Sequence, residues 1–251
     1  MQEIVFVSLA MAMAGFVHTA TGFGSALVGM PLLSFAVGMP VAAPLMAVMG
    51  QGVTAAVLWQ NWHALHWRES LRLNLASLLG IPIGLWLLRF GNQVLITAAL
   101  GVLLLAYALY GLLIEPRLDR QPPATEPDKD SWLVRCASIA TGFTAGVLGG
   151  AYNANGPPLI VYGAVRRWPK AQFKSTLQSF FIVNGALILG GHAIGGLITR
   201  EVLWYCACTL APMLVGMALG WLADRYLHGE RFRRAVLALV LILGAALLLH
   251  P

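Results

Sequence analysis

The side chains best suited to chemistry lie in two Gly- and Pro-rich interruptions of an otherwise apolar chain. The first covers residues 21–25 and reads Thr-Gly-Phe-Gly-Ser, and the second covers residues 149–158 and includes Asn153 and Asn155. Asn amides donate hydrogen bonds, and a helix that begins after such a break presents unpaired N–H groups and a partial positive charge. Together these features predict the binding of an anion without a charged side chain. The alternative is that the glycines only let helices pack closely, as small residues do in membranes.

Proline residues suggest where helices resume after the two breaks. Proline lacks an N–H group and fits the first turn of a helix, where that group has no partner. Pro31 follows the first break, and Pro157 and Pro158 end the second. The sequence therefore predicts half-helices that start near Pro31 and near Pro157 or Pro158, with their N-termini pointing into the centre of the membrane.

The predicted substrate site combines residues of both breaks with polar residues of the segments beside them. Its members are His18, Thr19, Thr21, Gly22, Gly24, Ser25, Pro31, Gln51, Tyr152, Asn153, Asn155, Gly156, Pro157, Gln178 and Asn184. For any single amide the alternative is a structural hydrogen bond between helices, because a buried amide needs a partner. His18 also has two interpretations, as a proton-linked group or as a donor between helices.

The sequence contains no motif for a catalytic nucleophile, a bound nucleotide or a metal ion. The three cysteines, Cys136, Cys206 and Cys208, have no spacing typical of a disulfide framework or a metal site. The acidic residues lie near the ends of apolar segments, whereas cation pumps and proton relays usually need an intramembrane carboxylate. We therefore expect a secondary or facilitative transporter with no catalytic residue, no metal and no cofactor.

The elements that hold this site are predicted to be transmembrane helices. Of 251 residues, 59% are hydrophobic and only 10% are charged, which is too few charges for the surface of a soluble domain. Apolar sequence occupies eight segments, at 3–37, 41–60, 70–90, 93–114, 131–165, 171–193, 201–224 and 232–250. The first and fifth would be ~50 Å long as continuous helices, against a hydrocarbon core of ~30 Å, so both are predicted to be broken.

The chain divides into two similar halves. Residues 15–35 align without gaps to residues 142–162, and Gly and Pro positions match at an offset of 127. We predict an N-terminal transmembrane repeat at 1–114, a polar, Pro-rich cytoplasmic linker at 115–130 and a C-terminal transmembrane repeat at 131–251. Interrupted segments at matching positions of two repeats are typical of transporter binding sites.

The positions of Lys and Arg favour one topology over another. If the two long segments each cross the membrane once, the 16 basic residues divide nine to seven between the two sides. If each long segment is re-entrant and leaves on the side where it entered, the division is 14 to two, which agrees much better with the positive-inside rule. The resulting fold class is an all-α membrane protein of two inverted homologous repeats. Each repeat has one broken, re-entrant segment and three transmembrane helices. The single-crossing alternative remains open.

The sequence resembles the TauE/SafE sulfite exporter family, also called the toluene-sulfonate uptake permease family. The resemblance rests on the segment from Gly15 to Gly24 that leads to Met-Pro-Leu-Leu at 30–33, and on its second copy, which ends Gly-Pro-Pro-Leu at 156–159. It implies transport of sulfur-containing anions such as sulfite or sulfoacetate. It also implies a multi-pass protein of the bacterial cytoplasmic membrane, with the lipid bilayer around it and a homodimer as a plausible assembly.

The sequence leaves three other functions open. An anion channel would share the dipolar pocket, and a carrier of small carboxylates would share the mechanism. A membrane-embedded lipid enzyme would need an acid, base or nucleophile near the headgroups, which makes it the weakest of the three. The net charge is +6, but the basic residues that produce it lie in short gaps between apolar segments. This pattern is typical of loops of a membrane protein and does not predict a nucleic-acid partner.

Overall fold

The chain folds almost entirely into helices. The computed structural model describes residues 2–21, 25–61, 63, 65, 67–114, 131–166, 168–226 and 230–249. We number the α-helices α1 (Gln2–Thr21), α2 (Ala26–Val37), α3 (Met39–Asn61), α4 (Trp67–Phe90), α5 (Gln93–Leu109), α6 (Trp132–Tyr152), α7 (Gly156–Val165), α8 (Lys170–Ile194), α9 (Arg200–Tyr226) and α10 (Glu230–Leu249). A π-helical turn at Tyr110–Ile114 extends α5. Within the described residues, seven helices are long and apolar enough to cross a membrane, so the predicted multi-pass helical class is confirmed.

Each of the two long apolar segments consists of two helices. The first contains α1 and the 12-residue α2, and the second contains α6 and the 10-residue α7. At 1.5 Å per residue, α2 and α7 are ~18 Å and ~15 Å long, about half the hydrocarbon core. These two helices are therefore too short to span a membrane on their own.

The start of α7 agrees with the sequence prediction and the start of α2 does not. Helix α7 begins at Gly156, with Pro in its first turn. Helix α2 begins at Ala26, and Pro31 lies inside it, so the prediction of a start near Pro31 is wrong. The carbonyl of Ser25 already accepts the Gly29 N–H at 2.9 Å. Since one proline removes a single hydrogen bond, a membrane helix tolerates it in its interior.

Helices α4 and α6 pack unusually close together, along a seam of small residues. A side chain at Gly142 would overlap the carbonyl of Leu73, and one at Gly150 would overlap Ile81. The residue numbers rise together along both helices, so α4 and α6 are parallel. Small residues of this kind let backbones approach in membranes, where packing drives helix association.

A matching seam joins α1 and α9, which are also parallel. Gly15 lies against the backbone of Met213, and Gly220 lies against Phe16. The contacts that correspond in the two seams are Gly142–Leu73 with Gly15–Met213, and Phe143–Gly80 with Phe16–Gly220. The same packing therefore recurs in the two seams. Corresponding residues are 127 positions apart between α1 and α6, and 140 positions apart between α4 and α9.

Helix α4 also runs parallel to α8. Near one end, the hydroxyl groups of Ser70 and Ser179 hydrogen-bond at 2.8 Å. Near the other end, Leu85 occupies the space beside Gly191. Because α4 is parallel to both α6 and α8, these two helices point in the same direction. The chain must therefore return towards its starting level between them, and α7 lies in that connection.

Apolar side chains cover much of the outside of the bundle as well as its core. Leu79 and Leu95 are 72% and 68% exposed, while Leu45, Leu73 and Leu100 are fully buried. An apolar exterior is what a bilayer requires, because lipid has no water to solvate polar groups.

Candidate functional site

A small polar cavity lies where the two helix breaks meet. Its volume is about 40 Å³, and a single buried water needs roughly 10–15 Å³. Residues of α1, the starts of α2 and α7, α3, the α6–α7 connection and α8 form its wall. They are His18, Ser25, Ala26, Leu27, Ala47, Gly50, Gln51, Thr54, Asn153, Ala154, Asn155, Gly156, Phe181 and Gly185. The cavity therefore has room for a few waters or for one ion of similar size.

The N-termini of both half-helices open into this cavity. Ser25 and Asn155 are the N-cap residues of α2 and α7, and neither side chain caps its own helix. Neither N-cap side chain therefore satisfies the first N–H groups of its own helix, as Ser and Asn do at many helix starts. Their partial positive charges add at one point. Two uncapped helix starts make a site that attracts an anion.

The α6–α7 connection turns sharply so that its amide side chains reach the cavity. Asn153 ends α6 with φ of 53°, the left-handed conformation that Asn adopts more easily than most residues. Its N–H bonds the carbonyl of Gly149 at 2.8 Å. Asn153 and Asn155 both line the cavity, and Asn155 is only 7% exposed.

The wall opposite the breaks is formed by α3 and α8. Gln51 Nε2 donates to the carbonyl of Phe181 at 3.4 Å. A side chain at Gly185 would overlap the Gln51 amide, so the glycine makes room for it. Thr54 lies one turn further along α3 and is buried. This wall therefore offers an amide and a hydroxyl group as further hydrogen-bond donors.

His18 is the ionisable side chain among the described residues that line the cavity. It is 2% exposed, and its ring packs edge-on against Phe181. Its Nε2 lies 3.3 Å from Gln178 Oε1, while Nδ1 has no hydrogen-bond partner in the described part of the chain. No Asp, Glu, Lys or Arg is among the described lining residues.

Six of the predicted site residues line the cavity: His18, Ser25, Gln51, Asn153, Asn155 and Gly156. Gln178 stands behind His18 as its hydrogen-bond acceptor. The structure therefore brings residues of both breaks and one amide of a neighbouring helix to one place. That they bind a substrate stays a prediction.

The other predicted residues lie elsewhere or outside the described residues. Thr19 donates to the carbonyls of Gly15 and Met217, which ties α1 to α9. Asn184 donates to Asn74 Oδ1 at 2.8 Å and so joins α8 to α4. Pro31 and Tyr152 are buried in helices, and Pro157 lines a separate apolar hollow of about 590 Å³. Gly22 and Gly24 lie outside the described residues, as does the side chain of Thr21 and the whole linker at 115–130.

Sequence reasoning missed the small and apolar part of the wall. Gly50, Thr54 and Gly185 carry no mark in the sequence that separates them from ordinary helix residues. The helical spacing of Gly50, Gln51 and Thr54 was the one usable signal, because it places them on neighbouring faces of α3.

A second polar cluster was also missed. Glu69, in the first turn of α4, is 3% exposed, and the Tyr162 hydroxyl of α7 donates to it. Arg72 lies 4.0 Å from the same carboxylate. The sequence placed Glu69 at the end of an apolar segment, which is correct, but gave no sign that it is buried. The cluster fastens the C-terminal part of α7 while the N-terminus of the same helix lines the cavity.

Fold and cavity together define a class, that of a multi-pass helical membrane transporter with a central polar site between interrupted helices. Comparison with known families gives the family itself: the model described as Sulfite exporter TauE/SafE matches residues 7–247, so the chain belongs to that family. Its members are transporters rather than enzymes, and membership implies sulfite or a related sulfur anion as cargo. Neither the curated proteins nor the solved structures gave a match.

Proposed function

We propose that this protein is a secondary transporter that binds a small sulfur oxyanion in the central cavity and moves it across the cytoplasmic membrane by alternating access. The observation that carries the proposal is the meeting of two uncapped helix N-termini in one cavity without acidic residues among its described lining. Backbone N–H groups and the amides of Gln51, Asn153 and Asn155 would donate to the anion's oxygens. The small volume favours sulfite over a larger organosulfonate such as sulfoacetate.

The arrangement of the helices supports inverted repeats with re-entrant breaks. The two glycine seams are related as if one half repeated the packing of the other. The parallel course of α4 and α8 agrees with re-entrant segments, because a single crossing by each long segment would make these helices antiparallel. In this arrangement the repeats are 1–114 and 131–251, and the linker at 115–130 is cytoplasmic. Inverted repeats can exchange conformations about a fixed midplane site, which is the basis of alternating access.

The other functions are separable by experiment. An anion channel would conduct without saturable exchange, so counterflow of labelled sulfite in proteoliposomes discriminates against it. A carboxylate carrier would bind acetate or lactate as well as sulfite. A lipid enzyme has little support, because the described cavity residues place no Asp, Glu, Lys or Arg beside His18 and the hydroxyl groups of Ser25 and Thr54.

A thermal-shift screen of the purified protein tests the proposal directly. The panel is sulfite, thiosulfate, sulfate, sulfoacetate, isethionate and taurine, with acetate and lactate as carboxylates. A ligand that binds only the folded state raises the unfolding temperature by mass action. We expect sulfite to stabilise the protein and the carboxylates to have little effect. Failure of every sulfur anion to shift the transition would refute the proposal.

The site itself is tested by Asn155→Asp, which keeps the side-chain shape and adds a negative charge. Repulsion between that charge and the anion should abolish sulfite binding. The matched control is Asn92→Asp at the N-cap of α5, outside the cavity, where Asn92 Oδ1 accepts the Val94 N–H at 2.9 Å. Asp is an equally good N-cap, so the control should bind sulfite normally. Equal sulfite affinity in the two variants would exclude the α7 break from the site.

A further inference from the structure

We propose that the anion binds together with a proton, which is taken up by His18 Nδ1. The inference rests on the proposed anion site and adds its coupling ion. In this view the wall of the cavity is neutral when empty and carries one positive charge when an anion is bound. The transported species is then an anion with a proton.

The hydrogen bond to Gln178 fixes which nitrogen of His18 can take the proton. Gln178 Oε1 can only accept, so Nε2 carries the hydrogen in the 3.3 Å contact. In a neutral imidazole the other nitrogen, Nδ1, is then an unprotonated acceptor. This nitrogen is buried and has no partner in the described part of the chain. Nδ1 is therefore the one position on His18 where a proton can add without breaking an existing hydrogen bond.

An anion in the cavity changes the balance between the two forms of His18. Burial disfavours the imidazolium when the cavity is empty, and a negative charge within a few ångströms favours it. The described residues that face the cavity from α2, α3, α7 and α8 are uncharged. Met217 and Gly220 of α9, which contact Thr19 and Phe16 on either side of His18, are also uncharged. No carboxylate among these residues competes with the anion for the imidazolium of His18. No second cation among them competes with His18 for the anion.

The charge balance explains why a proton and an anion would move together. One proton from water adds to Nδ1, the N–H at Nε2 is kept, and no bond in the anion changes. An unpaired anion buried in a membrane protein is costly, and pairing it with an imidazolium reduces that cost. The loaded cavity is then closer to neutral than an anion alone would leave it, which favours closure of the site around the pair.

The experiment compares wild-type protein with His18→Gln and His192→Gln by titration calorimetry with sulfite. Titrations from pH 6 to 8, in two buffers of different ionisation enthalpy, give the number of protons taken up on binding. Sulfite itself gains a proton in this range, so the difference between variants isolates the protein's share. His192 is the matched control, since it is buried in α8 and is not among the cavity residues.

We expect wild-type protein and His192→Gln to take up about one proton more than His18→Gln. Their affinity for sulfite should also fall more steeply with pH, by up to about tenfold per pH unit relative to His18→Gln. Equal proton uptake in all three proteins would overturn the coupling and leave the anion site intact. An absence of sulfite binding in wild-type protein would instead refute the proposed function.

A second measurement decides the question even if His18→Gln does not fold or does not bind. Infrared difference spectra of wild-type protein with ¹⁵N-labelled histidine should show an isotope-shifted imidazolium band when sulfite is added. The same band should appear in His192→Gln. Sulfite binding that produces no imidazolium signal would overturn the proposal.

Discussion

The two N-cap residues at the cavity differ from two N-cap residues of the same types elsewhere in the molecule. Asn92 and Ser131, at the starts of α5 and α6, use their side chains to cap backbone N–H groups of their own helices. Ser25 and Asn155 are the same residue types, but their backbone is helical rather than extended and their side chains do not cap α2 and α7. Because a missing cap costs about 1 kcal/mol, uncapped Ser and Asn side chains at both cavity helices support the proposal that a ligand satisfies these helix starts.

Gly185 should control the position of the Gln51 amide. A Cβ at this position would overlap that amide, so Gly185→Ala is expected to displace Gln51 from the cavity wall. Loss of one hydrogen bond of about 1 kcal/mol corresponds to roughly fivefold weaker sulfite binding. The affinity is measured by calorimetry. Gly190→Ala, on the same helix with open space around it, is the control and should bind like the wild type. Unchanged affinity in Gly185→Ala would remove Gln51 from the site.

At the scale of single residues, the sequence predicted the polar groups inside the breaks and missed the groups around them. Asn153 and Asn155 stand out because they are polar residues inside a long apolar segment and come directly before Gly-Pro-Pro at 156–158. Thr19 and Asn184 are equally polar, but they satisfy backbone and side-chain partners on neighbouring helices. A single sequence does not distinguish these two uses, because the distinction depends on which helices become neighbours.

At the closest points of the seam between α4 and α6, the packing should tolerate no residue larger than glycine. A Cβ at Gly146 would overlap the backbone of Ser77, which belongs to a rigid helix and has little room to move. Gly146→Ala is therefore expected to destabilise the protein by about 1–3 kcal/mol, as overpacking does in other cores. Thermal unfolding in detergent measures this change.

The control for the seam is Gly52→Ala in α3, where a Cβ meets nothing within 4 Å. Alanine favours helix more than glycine does, so this variant should be as stable as the wild type or slightly more stable. Equal effects of the two substitutions on stability would contradict the close approach of α4 and α6.

Helix α7 lines the cavity at its start and hydrogen-bonds to Glu69 near its end. Tyr162→Phe would leave the buried Glu69 carboxylate without the hydroxyl that donates to it. An unsatisfied buried group costs about 1–3 kcal/mol, and more when it is charged. We expect a clear fall in the unfolding temperature, measured by thermal unfolding.

The matched control is Tyr205→Phe, which removes a hydroxyl that donates to Glu3 in the same way. Glu3 is exposed, so water can replace the lost donor. We therefore expect Tyr205→Phe to lower the unfolding temperature less than Tyr162→Phe does. A larger loss of stability in the control would contradict the inference that burial of Glu69 sets the cost.

For the molecule as a whole, the direction of α4 relative to α8 distinguishes re-entrant long segments from segments that cross the membrane once. With the three native cysteines replaced by serine, Ser70→Cys with Ser179→Cys should form a disulfide on mild oxidation, because the two hydroxyl groups are 2.8 Å apart. Gel mobility after cleavage between the two positions measures the cross-link.

The comparison pair is Ser70→Cys with His192→Cys, which lie towards opposite ends of the two helices in the parallel arrangement. This pair should stay reduced. A cross-link here, without one between positions 70 and 179, would make the helices antiparallel and would support a single crossing by each long segment.

The overall architecture was largely accessible from composition and spacing, and the arrangement of the helices was not. Apolar segment lengths gave the helices, and the Gly and Pro clusters gave the two breaks. The count of basic residues on each side favoured the same topology that the parallel α4 and α8 support. The pairing of α4 with α6 and of α1 with α9 could not be predicted, since glycines occur in most of the helices and nothing in one sequence says which of them face each other.

The contact between Gly15 and Met213 has a consequence for how the protein is made. Helix α1 leaves the ribosome well before α9, the helix that packs closely against it and is synthesised almost 200 residues later. At 5–20 residues per second, α1 waits roughly 10–40 s before that partner exists. During that time the face of α1 that carries Gly15 is open to lipid or to an insertion chaperone. The packing of α1 against α9 is therefore a late step in the biogenesis of this protein.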